Sequence, residues 1–190
     1  MALWGVTDAD ESKPKWAVRG SGVDPQNIFA TAEGWVLRHY KNAAKTTYWD
    51  EVLVAVDGLV GAGGRGTKTL GEADITAVFF EETGYAGGAT GSVVVIYNEQ
   101  VNVTNGATLI VRNTTDSANI TATAAAQTGV NRVEFTFTAA ATGKAHALQA
   151  QTISGTIVDA TGGATSDKAF VAGDVIGAGG SGSTKTFTAS

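Results

Sequence analysis

The chain has 190 residues, of which 43% are hydrophobic and only 16% charged, so it is long and apolar enough to fold as one large domain or two small ones. It has no cysteine and two histidines, His39 and His146, which removes disulfide frameworks, thiolate zinc sites, iron–sulfur clusters, cysteine nucleophiles and a His-rich metal cage. A formal net charge of −5 argues against a protein that wraps nucleic acid, and no stretch approaches the roughly 18 apolar residues of a membrane span.

The stretch from Met1 to Glu33 reads as an extended arm. Isolated anchors (Leu3, Trp4, Trp16, Val18, Ile28, Phe29) stand among turn formers and charges. Charges sit where a signal peptide needs an apolar core, so no export signal is expected. Burying one tryptophan of roughly 200 Å² yields about 5 kcal/mol at most. Ordering each residue costs on the order of 1–2 kcal/mol. Trp4 and Trp16 therefore cannot immobilise the arm alone; it needs backbone pairing with a sheet edge, its own or a neighbour's.

Next, Gly34–Tyr40 (GWVLRHY) and Tyr48–Val56 (YWDEVLVAV) flank a polar KNAAKTT and predict a hairpin. GAGGRGTKTLG, residues 61–71, reads as a linker, which places a domain boundary near Gly66. Composition changes there. All four tryptophans and both prolines precede it, while the net charge falls entirely after Leu70, where the chain turns rich in Thr, Ala, Gly, Val and Asn.

Ser92–Tyr97 (SVVVIY) is a continuous β-branched run and predicts a strand covered on both sides. In residues 101–111, VNVTNGATLIV, Asn105-Gly106 between two such runs predicts a type I′ hairpin. Ala118–Ala126 is a weak strand or a short helix. In Asn131–Thr138 (NRVEFTFT), Val133, Phe135 and Phe137 alternate with polar residues, the period of a half-buried strand. The fold class expected is all-β, with an arm and small β-module over 1–66 and a β-sandwich over 67–190.

Signals of chemistry are few. Gly61–Gly66 (GAGGRG) and Gly177–Gly182 (GAGGSG) match the dinucleotide-binding glycine pattern, yet neither opens a helix that would carry a pyrophosphate. No cofactor is expected. Asp8, Asp10 and Glu11 lack the spacing of a calcium loop. Glu81 and Glu82, being adjacent, point to opposite sides of a strand and make no acid–base pair. His39 lies in a strand with Trp35 and Leu37 and reads as packing or interface. The sequons at Asn102, Asn113 and Asn119 are chance matches in an Asn/Thr-rich chain. No catalytic or metal-ligating set emerges, and an enzyme is not expected.

Two resemblances complete the reading. Leu3-Trp4-Gly5, the acidic turn Asp8 to Glu11, and Lys13-Pro14-Lys15-Trp16 resemble the start of small virion structural proteins of tailed phages, cyanophages above all. Gly34–Val36 and Glu51–Ala55 extend that likeness over the front part of the chain, roughly as far as Val60. The second part resembles bacterial and phage immunoglobulin-like domains, through Glu99, Val101 and Val103, the strand NRVEFTFT, and a closing step carried by Gly155, Thr156, Ile157, Asp159 and Gly162. It lacks the cysteine pair and the tryptophan of antibody-type cores.

These likenesses imply an immunoglobulin-like β-sandwich on a virion protein assembled in the host cytoplasm. The expected role is capsid decoration or cementing, with a neck or tail accessory protein and a carbohydrate-adhesion module as alternatives. The expected partners are the major capsid protein or another virion protein, further copies of the chain (a trimer), and surface glycans; neither nucleic acid nor membrane is expected. Partner contacts are expected at Leu3, Trp4, Trp16, Trp35 and Trp49.

Overall fold

The computed structural model describes residues 24–31, 34–54, 73–170 and 186–190. The arm anchors Leu3, Trp4 and Trp16, the acidic turn, both glycine-rich segments and the Gly66 boundary lie outside them. The described chain is all-β: a 3-10 turn (Pro25–Asn27) is followed by thirteen strands, and no helix among the described residues is long and apolar enough to cross a membrane.

A small sheet opens the structure, in the order β1 (Ile28–Thr31), β2 (Gly34–Tyr40), β3 (Tyr48–Val54), every pair antiparallel. The expected β2–β3 hairpin is present. Its connection, Lys41 to Thr47, is pinned by Asn42, whose Oδ1 accepts the backbone N–H groups of Thr46 and Thr47. The base of this sheet is buried and the distal half of the hairpin is not: Tyr48 to Glu51 are all exposed.

The remaining strands are β4 (Ile75–Phe80), β5 (Thr90–Val103), β6 (Ala107–Asn113), β7 (Ala118–Ala124), β8 (Gln127–Thr138), β9 (Ala145–Ala147), β10 (Gln151–Thr152), β11 (Ile157–Asp159), β12 (Ala169–Phe170) and β13 (Thr186–Thr188). All but β10 and β12, which pair with each other, share one sheet in the order β11-β5-β8-β7-β6-β9-β13, with β4 beside β5 as well. β5 is long enough for two partners on one edge: β4 lines Val93 to Tyr97, and β11 lines Val101 to Val103. Between β7 and β8 the register pairs only Thr123 with Thr136. The result is a sandwich-like, nearly closed barrel.

Period-two alternation fills this interior. Leu109 and Val111 of β6, Ala122 and Ala124 of β7, and Val133, Phe135 and Phe137 of β8 all point inward. β5 is buried on both faces, as its β-branched run predicts. Val93, Val95 and Tyr97 enter the main core, whereas Val94 and Ile96 meet Ala77 and Phe79 on the other side. Ala118–Ala124 is a strand rather than a helix.

The Asn105-Gly106 hairpin requires correction. β5 and β6 follow one another through this turn but do not pair; β6 pairs with β7 and β9. Gly106 has φ +88° while Asn105 stays at negative φ, and the Ala107 N–H donates to the Thr104 carbonyl. That is the φ pattern of a type II turn, whereas type I′ needs positive φ at both central residues. A type II turn does not match the strand twist, so the two strands splay, and the chain crosses from one half of the barrel to the other.

An aromatic plug closes one end. Phe187 of β13 stacks on His146 (centroids 4.4 Å apart, rings 2° from parallel) and meets Phe80 and Tyr85 edge-on at 4.8 and 5.0 Å. The C-terminus is tied down by backbone: Ser190 N–H donates to the Tyr85 carbonyl and Gly87 N–H to that of Ser190. The small sheet joins the barrel through β1 and the 3-10 turn, both against β5, and Asn131 Nδ2 donates to the Gln26 carbonyl at 2.7 Å.

Candidate functional site: the projecting β2–β3 hairpin

Two strands alone are marginal in water, so the exposed half of this hairpin needs its own support. Cross-strand side chains provide it on both faces. On one face the Arg38 guanidinium lies between the rings of Phe29 and Tyr48, 4.3 and 3.8 Å from their centroids, and forms a two-pronged ion pair with Asp50 at 2.8 Å for each contact. This pairing raises the Arg38 pKa further above its already high value. Tyr40 meets Tyr48 edge-on, and Lys45 sits 5.2 Å from the Tyr40 ring centroid.

On the other face His39 stacks on Trp49, with centroids 4.1 Å apart and rings 12° from parallel, and its Nε2 lies 2.8 Å from Glu51 Oε2. The stabilising contacts therefore reach β3 from the β2 side of each ladder. Tyr48 and Trp49 are the large exposed hydrophobic residues among the described ones, 47% and 49% exposed. β3 is also the last strand of its sheet, and its outer edge pairs with no other strand among the described residues. Two half-exposed rings, one on each side of the sheet, thus flank a backbone edge that pairs with no other described strand.

The structure separates the two described tryptophans expected at partner contacts. Trp49 is exposed. Trp35, opposite Ala30 at the base of β2, is 2% exposed and packs within its own chain. Both stand in one hairpin, but Trp35 falls in the central strand β2, opposite Ala30 of β1 and Val54 of β3, whereas Trp49 falls on the edge strand β3. The Phe29–Arg38–Tyr48 ladder escaped the sequence reading, although the alternation in RHY and YWDE carried its signal.

A second cluster sits at the kink of β5. Glu99 lies where the register of β5 against β8 shifts, between Ile96 and Val101, with Asp159 of β11 and Asp74 ahead of β4 nearby. Burial chiefly, and then these two carboxylates, push the Glu99 carboxyl up to about 8. Asp159 is a fastener: its carboxylate accepts the N–H groups of Thr161 and Gly162 at 2.9 and 2.8 Å. Among the described residues no group of three or more His, Asp or Glu side chains is arranged to hold a metal ion. Glu81 lies in the bend after β4 and pairs with Arg132.

No protein-family profile, no curated protein and no solved structure matches this chain.

Proposed function

We propose that this chain is a structural protein of a tailed-phage virion, most simply a decoration or cement protein on the outside of the head. The tryptophan-rich front part makes the protein–protein contacts, and the acidic barrel faces water, where its charge keeps particles apart. The observation that carries the docking half of this reading is Trp49: half exposed and fixed in orientation by His39, on a hairpin that projects from a self-contained barrel. Rigid, half-exposed aromatics are the side chains that dominate protein interfaces. The virion half rests on the resemblance carried by the front part of the chain.

The test is reconstitution of the full chain onto phage shells stripped of it. Saturable binding at hundreds of copies per particle is expected, and Trp49→Ala should weaken it at least tenfold while lowering the Tm by only a few degrees. A dozen copies or fewer moves the protein to the neck or tail. Full occupancy by Trp49→Ala removes the hairpin from the contact.

A second reading draws on the same residue. A tryptophan face open to water beside a carboxylate also suits a sugar ring, so a glycan-array signal lost in Trp49→Ala would make the chain a carbohydrate-adhesion module.

A further inference from the structure

We propose that the outer edge of β3, which pairs with no other strand among the described residues, is completed by residues Lys13–Arg19 of a second copy of this chain, added as a fourth strand to the small sheet. This names the partner of the docking hairpin and rests on reading the hairpin as a docking element, though not on the virion assignment.

The edge first defines what it accepts. Lys41 N–H donates to the Thr47 carbonyl, so position 41 faces 47 in a hydrogen-bonded pair. By antiparallel alternation 39/49 and 37/51 are bonded likewise, and Tyr48, Asp50 and Val52 direct their backbone groups outward. One face of the edge presents the open side of the Tyr48 ring beside Asp50; the other presents the open side of Trp49 beside Glu51. The first ladder runs ring, cation, ring (Phe29, Arg38, Tyr48), and its next place suits a cation next to a carboxylate. The second runs His39, Trp49, and its next place suits another aromatic or aliphatic group.

Residues 13–19, KPKWAVR, have that composition in period two. As a strand they set Lys13, Lys15 and Arg19 on one face, and Pro14, Trp16 and Val18 on the other. Proline is tolerated there because an added edge strand has one side of its backbone free, and Pro14 needs only to fall on that side.

Reach decides between the chain's own segment and a neighbour's. Asp24 is held beside the start of β1, since its carbonyl accepts the Asn27 N–H at 2.9 Å. From Arg19 to Asp24 the extended chain covers at most about 17 Å. A strand added beyond β3 lies three strand spacings from β1, about 14 Å, and the path around one sheet face adds about 10 Å more. The segment falls short of its own β3, and a neighbouring copy has no such limit. Each copy then gives a strand and receives one, an exchange that links copies as a reciprocal dimer or head to tail.

Because the native chain contains no cysteine, single thiols report the contact cleanly. Two full-length variants of different mass, Val18→Cys and Glu51→Cys, whose side chains share one face of the completed sheet, are mixed and treated with a short bismaleimide whose reach is about two strand spacings. A cross-linked pair joining one of each is expected at several times the yield of either self-pair, and Lys13→Glu/Arg19→Glu in the first variant should cut that yield at least fivefold while its far-UV circular dichroism stays that of the folded chain. Sedimentation of the unmodified chain should show an oligomer that the same charge reversal dissociates. A cross-link confined to a single chain carrying both cysteines, or a monomer at all concentrations, overturns the proposal. Failure to bind shells with the cross-link intact counts against the virion reading alone.

Discussion

Replacing Glu99 by glutamine should stabilise the protein in alkali and leave it unchanged in acid. The glutamine keeps the shape of the side chain and removes the charge that the β5 kink resists. The folded carboxyl titrates at about 8 against an ordinary 4.5, so its protonated form is favoured by folding. The sign follows from linkage: a group whose folded value is raised contributes its stability below the unfolded value and loses it as pH climbs through the folded one. The wild type therefore weakens between pH 4.5 and about 8, and the glutamine variant escapes this loss. The ceiling on the difference is about 5 kcal/mol. Glu99 is only half-buried and water screens much of its charge, which reduces the expected gain to about 1–2 kcal/mol, or about 3–6 °C in Tm for a chain of this size. Urea unfolding of both proteins at half-unit steps from pH 4 to 9 measures it. A difference that stays flat across the range, or a variant weaker than wild type at pH 8.5, refutes the argument that burial and the neighbouring carboxylates oppose this charge.

Two further substitutions probe the barrel. His146 is 1% exposed, accepts the Ala140 N–H through Nε2 at 3.0 Å and stacks on Phe187, and burial lowers its pKa; the wild type should lose stability as pH falls below about 6.5. His146→Ala should be about 2–4 kcal/mol weaker at pH 7.5 yet lack that acid-side slope in chemical denaturation, and a retained slope would assign it to other groups. Gly155 combines φ +94° with a close approach in which an added Cβ would stand 2.8 Å from Ala107 Cα, whereas Gly106 at φ +88° has open space around it. Thermal unfolding should show Gly155→Ala costing about 2–3 kcal/mol and Gly106→Ala about 1.

The strands that were legible in the sequence are those whose environment is uniform along their length. Val133, Phe135 and Phe137 alternate because β8 has one wet face, and Val93 to Tyr97 do not alternate because β5 has none. Asn105-Gly106 misled because the dipeptide fixes only that the chain turns. Whether the flanking strands then pair depends on partners far away, here β7 and β9 for β6. The short strands escaped for the same reason. β9, β12 and β13 are two or three residues long, and they are strands only because another segment lies alongside. At the hairpin, residue type marked the tryptophans as candidate contacts, but composition does not tell that Trp35 falls in the central strand, opposite Ala30, and Trp49 on the exposed edge strand.

The way the hairpin is stabilised also explains how it stays available. Had its outer half been held by an apolar core, a covering layer would have hidden both faces and the β3 edge together. Instead each face is braced sideways, from β2 toward β3, by a guanidinium between two rings on one side and a stacked imidazole on the other. Sideways bracing uses one side of each half-exposed β3 ring, and it uses the inward backbone groups of β3 while the outward ones pair with no other strand among the described residues. The edge is thereby rigid before anything binds, so a strand added there forfeits its own freedom but little of the hairpin's. A hairpin held only by its turn would have to order itself in the same step. The ladders that keep this hairpin in shape would in that sense make its outer edge the docking surface proposed above, and on that proposal weakening them at Arg38 impairs binding even though Arg38 itself touches no partner.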